Sequence, residues 1–430
     1  MAASKSKWID SSSAKELLNR IAKLKLESGQ QCMMILSNKH YKSAFDSSGF
    51  DNYSMLLKEL VKFSNEVPDA VKKQMMDKAI WQSADDENLH DGYVGNALKK
   101  IEAEYLAKTP KIYYLVTGLS ITGLKSKRVI KTPKSLITIS NYFPQKFKNT
   151  YDFEQATSLY PRINKKCYSW VTVKVSARCV HSAVETAFEE LDYWRGIFNI
   201  YSNYNQNRTS FSKPSPINKV CKYPYHSLHL ENGDRATQLY WFEPNFSTEV
   251  SSFNISGKYD EGKAFYQKLS ADICNSGNLS FFTKSLNRYC SALDTSNMNS
   301  SFLALWSLLE SITFTGHDNY DVTIARTLVL FKDKFKLKLE LEILRDKRNM
   351  AIHSGNQFEE AETYAYMLMN IIHQYLFFLV SAIEKSKSIN QLKNTLDLPL
   401  NKSKLEHMRS QYESEIEKLD LIKQLINIEP

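Results

Sequence analysis

The chain has no CxxC pair, and its six cysteines (Cys32, Cys167, Cys179, Cys221, Cys274 and Cys290) follow no regular spacing. Neither a zinc site nor a disulfide framework is therefore indicated, and no metal or cofactor is expected. Residues 1–10 lack the apolar core of a signal peptide, and internal repeats and low-complexity tracts are missing as well. These absences point to a cytoplasmic protein in a reducing compartment. A further gap is local: between Lys108 and Lys148 there is no Asp or Glu, while nine Lys and Arg occur, as many as the whole formal excess of +9. Such an excess permits a polyanionic partner without demanding one.

What is present is material for folding. Of 430 residues, 43% are hydrophobic and 24% charged, proportions of an ordinary soluble protein rather than a disordered one. The length calls for two or three domains. Residues 364–383 are nearly continuous apolar sequence of membrane-spanning length. Asn370, His373 and Gln374 at the centre of that stretch are unfavourable in hydrocarbon, so a helix buried inside protein is expected, with no membrane partner.

The periodicities divide the chain. Residues 1–107 read as helical: Ser13 precedes an amphipathic run over 14–26, and similar runs cover 53–63, 68–81 and 95–106. Residues 108–261 form a mixed, β-rich middle part. Strands are expected at 112–121, 128–131, 136–139 and 168–175, the last with alternating Val171, Val173 and Val175. A helix at 182–198 follows, then a polar, proline-broken and mobile loop at 201–224, then strands at 226–230 and 238–242 around the Asn232-Gly233 hairpin signal. Residues 262–390 carry helical spacing at 279–293, 300–313, 322–331, 337–352 and 359–383, which together make an antiparallel bundle. Residues 391–430 end in an amphipathic helix over 402–428. Its narrow stripe of Leu405, Met408, Tyr412, Ile416, Leu419 and Ile422 wants a partner, either the body of the protein or a second copy. The fold class is α+β, mostly α.

The segment with chemistry in it is Arg345-Asp346-Lys347-Arg348-Asn349-Met350-Ala351-Ile352-His353-Ser354-Gly355. A guanidinium holds phosphate in a planar fork and an imidazole moves protons near neutral pH, so arginine and histidine together suit phosphodiester cleavage. At about 100° per helical residue, Arg345, Asn349 and His353 share one side, whereas Arg348 lies roughly 140° from His353. Ser354-Gly355 ends the helix near His353, which leaves the imidazole freer. The same residues also suit a solvated face whose terminal histidine complements the helix dipole.

The run from Arg348 to His353 resembles the R-polar-x-x-x-H motif of HEPN domains (higher eukaryote and prokaryote nucleotide-binding). The upstream Phe302-Leu303-Ala304-Leu305-Trp306-Ser307-Leu308-Leu309-Glu310 is similar to the helix that packs on it in the abortive-infection type, and Arg348-Asn349 to His353-Ser354-Gly355 is most like the ApeA-like branch. The resemblance covers about residues 262–390. It implies a HEPN helical bundle and a metal-independent endoribonuclease that dimerises through this bundle, pairs two motif helices in one cleft and leaves a 2′,3′-cyclic phosphate and a 5′-hydroxyl. The substrate implied is tRNA or other host RNA, in antiphage defence by abortive infection, with a phage-derived trigger or an inhibitory partner protein. Carried over by position, Arg348 and His353 are the catalytic pair, Asn349 their polar partner, Glu310 an orienting residue, and Arg345 and Lys347 RNA contacts. A tyrosine two residues after the histidine, modified by a nucleotidyltransferase antitoxin in some relatives, is replaced here by Gly355.

Other residues are weighed beside these. Lys125, Lys127, Arg128, Lys131 and Lys134, interleaved with Tyr113, Tyr114, Tyr142, Phe143 and Phe147, suit an RNA backbone with stacking, and equally suit strand edges kept from aggregating. His226 and His229 have no matching cluster for a metal, His373 reads as a core histidine, and Cys179 and Cys290 as inert thiols. The runner-up function is a non-catalytic HEPN subunit that binds RNA or scaffolds a defence or toxin-antitoxin complex.

Overall fold

The computed structural model describes residues 6–26, 35–37, 40–158, 163–204, 215–243, 246–247, 250, 252–316, 320–354, 360–386, 388–399 and 401–426. It is α+β and mostly helical, with fourteen α-helices among the described residues.

The first part contains β1 (Lys7–Trp8), α1 (Ser11–Lys23), β2 (Ile35–Ser37), β3 (Ala44–Asp46), α2 (Ser47–Glu59), β4 (Val61–Lys62), α3 (Asp69–Asp85) and α4 (Asp91–Ala107). The cap of α1 is Asp10 rather than Ser13, because its carboxylate accepts the backbone N–H groups of Ser12 and Ser13. Two antiparallel pairs, β1 with β4 and β2 with β3, interrupt the expected all-helical region. Strands of two or three residues are too short to show an alternating pattern. Leu18, Met76, Ile80 and Leu98 are among the residues of a separate apolar core here.

The middle part contains β5 (Lys111–Leu119), β6 (Ile121–Thr122), β7 (Arg128–Lys131), β8 (Ser135–Ser140), α5 (Phe153–Ser158), β9 (Ser169–Ala177), α6 (Val180–Ser202), β10 (Tyr225–Leu230), β11 (Trp241–Phe242) and β12 (Phe253–Asn254). Its main sheet is antiparallel throughout, in the order β11-β10-β5-β9-β8-β7. The alternation of Val171, Val173 and Val175 puts one face of β9 into the main core, while Trp170 packs with Tyr151 and Tyr223 on the other. At the hairpin, Gly233 sits at a φ of +100°, where a side chain would be strained, and the Lys146 carbonyl lies only 2.6 Å from where a Cβ would be. Residues 205–214 of the expected loop lie outside the described residues. Its described end is pinned: Asn218 donates to the Cys290 carbonyl and to Asp294, and the Val220 carbonyl accepts from Arg195 and Asn199.

The last part contains α7 (Tyr259–Asn275), α8 (Leu279–Asp294), α9 (Met298–Ile312), α10 (Tyr320–Val329), α11 (Lys334–Ser354), α12 (Ala361–Ser386), α13 (Ile389–Leu396) and α14 (Lys402–Leu425). The five expected helices are present, joined by α7 and α13, whose apolar positions are few. One apolar core runs without interruption from the sheet through α6 into α8, α9 and α12. At the α6–α8 crossing, Gly196 lets the backbones approach, since a Cβ there would meet that of Leu286 at 3.0 Å. Helix α12 is long and apolar enough to cross a bilayer, yet Leu368, Ile372, His373, Leu376 and Leu379 are all buried within the bundle. That is the environment of a core helix.

Candidate functional site

Helix α11 carries the motif, and its own sequence explains its position. Leu337, Leu341 and Leu344 recur at helical spacing and are buried in the bundle, while Lys336–Glu340 and Lys338–Glu342 pair along the exposed side. The helix continues through Ser354, so His353 lies in its last turn with helical geometry and is exposed to solvent. The helix thus ends near His353, as the Ser354-Gly355 pair led one to expect. Gly355 lies outside the described residues.

Tyr320 and Asp321, at the start of α10, organise the arginines. The Arg348 guanidinium lies 4.5 Å from the centre of the Tyr320 ring, and its Nη1 donates to Asn349 Oδ1 at 3.3 Å. A guanidinium stacked on a ring is held flat and oriented. Arg345 donates to Asp321 at 2.8 Å and to Asp346 at 3.1 Å. Lys347 lies 3.8 Å from Glu360 and 5.4 Å from the centre of the Tyr364 ring. Arg348 thus faces the bundle and is half-buried, while His353 projects to solvent about 140° away around the helix. No contact joins the two within one protomer among the described residues.

A second apolar face runs along α11 on the solvent side. Phe335, Leu339, Ile343 and Met350 are between 45% and 79% exposed, and His353 falls within about 80° of all of them around the axis. Single exposed apolar residues are ordinary, but a row of them on one helix marks an association surface.

The remaining candidates are spread more widely. Glu310 Oε1 accepts the Trp306 indole N–H at 2.7 Å, a contact inside α9. No hydrogen bond joins Glu310 to Arg348 or His353 among the described residues. Lys125, Lys127, Arg128, Lys131 and Lys134 line the edge strand β7 and its flanking turns, with Arg128 lying 4.3 Å from the Tyr259 ring centre and the other four exposed. His226 and His229 occupy opposite faces of β10: His226 bonds Thr117 and Glu243 and packs on Phe188, whereas His229 bonds Ser227 and packs on Phe147. They do not share a metal. Cys290 is buried and its thiol pushed well up by burial, as an inert core thiol should be.

A dense group of charges lies elsewhere, between α6, α8 and the sheet. Arg195 is fully buried and holds Asp294 in a bidentate pair at 2.8 and 2.6 Å, with Asp192 at 2.9 Å on its Nε. Lys222 bridges Glu243 at 2.9 Å and Asp192 at 3.3 Å. Burial opposes the charge on Lys222, but Asp192 and Glu243 outweigh it and raise its pKa above the ordinary lysine value. A cleft of about 350 Å³ opens beside this network, walled by Phe188, Trp241 and Phe242. Its charged groups are committed to one another and tie three elements together.

Comparison with family models, curated proteins and solved structures gives no match. Sequence reasoning missed Tyr320, Asp321 and the solvent-side face of α11. The first two have no local signal, because only packing brings α10 onto α11. The third was legible in principle as a second apolar periodicity on the motif helix.

Proposed function

We propose that the chain is a metal-independent endoribonuclease of HEPN type that works as a homodimer through α11. The observation that carries this reading is the two-faced character of that helix: one apolar face is spent on the bundle, and the other, facing solvent, runs up to His353. Pairing α11 with its counterpart in a second copy removes that face from water and brings two copies of the His353 turn to one seam. Arg348 lies over Tyr320 on the bundle side of α11, and its role as the phosphate contact comes from the resemblance of the motif.

In the reaction, the RNA 2′-oxygen attacks the adjacent phosphorus and the bond to the leaving 5′-oxygen breaks. His353 removes the 2′-hydroxyl proton or returns one to the 5′-oxygen, and Arg348 offsets charge on the phosphoryl oxygens. The products are a 2′,3′-cyclic phosphate and a 5′-hydroxyl. The basic edge at β7 gives the RNA backbone a track. By the same resemblance, the setting is cytoplasmic antiphage defence that cuts host RNA such as tRNA, released by a phage-derived trigger or by loss of an inhibitory partner.

A second reading is favoured by the separation of Arg348 and His353 around α11 and by the contact of Arg348 with Tyr320: a HEPN subunit that binds RNA without cutting it. Incubating the purified full chain with total tRNA, and mapping the termini of any fragments, separates the two. For the enzyme, cyclic phosphate ends appear and cleavage drops by about 10²-fold or more in His353→Ala and in Arg348→Ala, with unchanged melting curves. Binding without cleavage under all conditions establishes the second reading instead.

A further inference from the structure

Among the described residues, helix α14 is a long element that the fold leaves uncovered. None of its side chains is buried, and only Met408 is partly covered. The described body of the protein, one of the two partners its stripe called for, does not cover it. Its 24 residues span about 36 Å, and isolated helices gain most of their stability from packing an apolar face.

The stripe has a heptad register. Leu405, Tyr412, Leu419 and Ile426 occupy a positions, Met408 and Ile422 d positions, and Glu415 the remaining d position. Of these, Tyr412, Leu419, Ile422 and Ile426 are more than half exposed. The flanks decide what fits. At e and g, the positions that face a partner helix, the charged residues are Lys402, Lys404, Arg409, Lys418 and Lys423, and none is acidic. A second α14 packed in parallel sets Lys404 against Arg409 and Lys418 against Lys423. Packed antiparallel, e faces e and g faces g, which again places basic residues together. In parallel register a second copy also buries Glu415 against Glu415, which is costly. Arg409, Lys418 and Lys423 pair along their own helix with Glu413, Glu415 and Asp420, but these are exposed contacts of little strength and leave the lysines and arginine available.

We propose that α14 docks an acidic amphipathic helix of a different protein, with which it forms a two-stranded coiled coil. The partner presents apolar residues at a and d, glutamate or aspartate at e and g, and a lysine or arginine opposite Glu415. The surface is separate from Arg348 and His353, so the proposal stands whether or not the chain cuts RNA.

The probe is a labelled synthetic peptide of about four heptads with Leu and Ile at a and d, Glu at e and g, and one Lys opposite Glu415. Its match carries Lys at e and g. Titrated against the full chain, the acidic peptide binds roughly tenfold tighter than the basic one, a preference that four flank pairs supply and that salt weakens. Leu419→Lys with Ile422→Lys abolishes binding, and replacing Lys404, Arg409, Lys418 and Lys423 by Glu reverses the preference. All these positions are exposed, so the fold survives. Equal binding of both peptides, or of neither, overturns the proposal. So does self-association of the full chain that disappears with Leu419→Lys and Ile422→Lys, or attachment to phosphatidylserine vesicles that depends on α14 in the absence of peptide binding.

Discussion

At the residue scale, the histidines divide by burial. His353 is exposed, whereas His226, His229 and His373 are buried and their pKa values are lowered, chiefly by desolvation of the charged ring. For His229 the folded value falls to about 4 and for His373 to about 3, against 6.5 for the free side chain. As pH falls below 6.5 the unfolded chain takes up protons that the native chain refuses, so stability is full above that value and declines through the window down to about 3. Urea midpoints measured from pH 7.5 to 4.5 should therefore fall steadily. His373→Phe should flatten the slope, because the remaining ring titrates in neither state. A slope identical to that of the parent chain would show that His373 contributes nothing. His373 Nε2 shares a hydrogen bond with the Tyr289 hydroxyl in the core, where its place in an apolar helix led one to expect a core histidine. The anchoring of Arg348 by Tyr320 was not legible, since the two are 28 positions apart and meet only through packing.

At the element scale, helices with one strong apolar period were readable and those with a sparse one were not. The bundle helices α8, α9 and α12 fall close to their expected bounds, because their buried faces repeat at helical spacing. Helix α7 was expected only as part of a chain that turns helical after Gly262, without bounds of its own, because Tyr266, Leu269 and Ile273 sit among charged and polar residues. Helix α11 has two apolar faces with different fates, and substitutions distinguish them. Leu341→Ala, on the bundle face, should cost about 2–5 kcal/mol of folding stability. Leu339→Lys with Ile343→Lys, on the solvent face, should change stability by no more than about 0.5 kcal/mol per site. The same pair should halve the mass seen by light scattering. A chain that is already monomeric, or a dimer indifferent to both lysines, argues against pairing through α11.

At the scale of the whole molecule, the sheet and the bundle share one apolar core, with α6 between them, while residues 14–106 have a core of their own. The Arg195–Asp294 pair adds a buried polar tie across the same junction. A chain of residues 110–430 should accordingly fold with a single cooperative melt. A chain of residues 259–430, which strips α8 of its α6 neighbour and exposes Leu286, Tyr289 and Leu293, should aggregate or remain molten. A soluble, cooperatively melting 259–430 fragment would show that the bundle stands without the sheet.

The sequence alone determined the order of helical and β-rich parts, the hairpin at Gly233, the core placement of α12 and the amphipathic stripe of α14. Each of these follows from local spacing, which encodes which side of an element is apolar. Tertiary structure alone decided that sheet and bundle share a core, that Arg348 faces Tyr320 while His353 faces solvent, and that α14 stays exposed among the described residues. Those outcomes depend on contacts between segments far apart in the chain, and periodicity says only that a face needs burying, not against what.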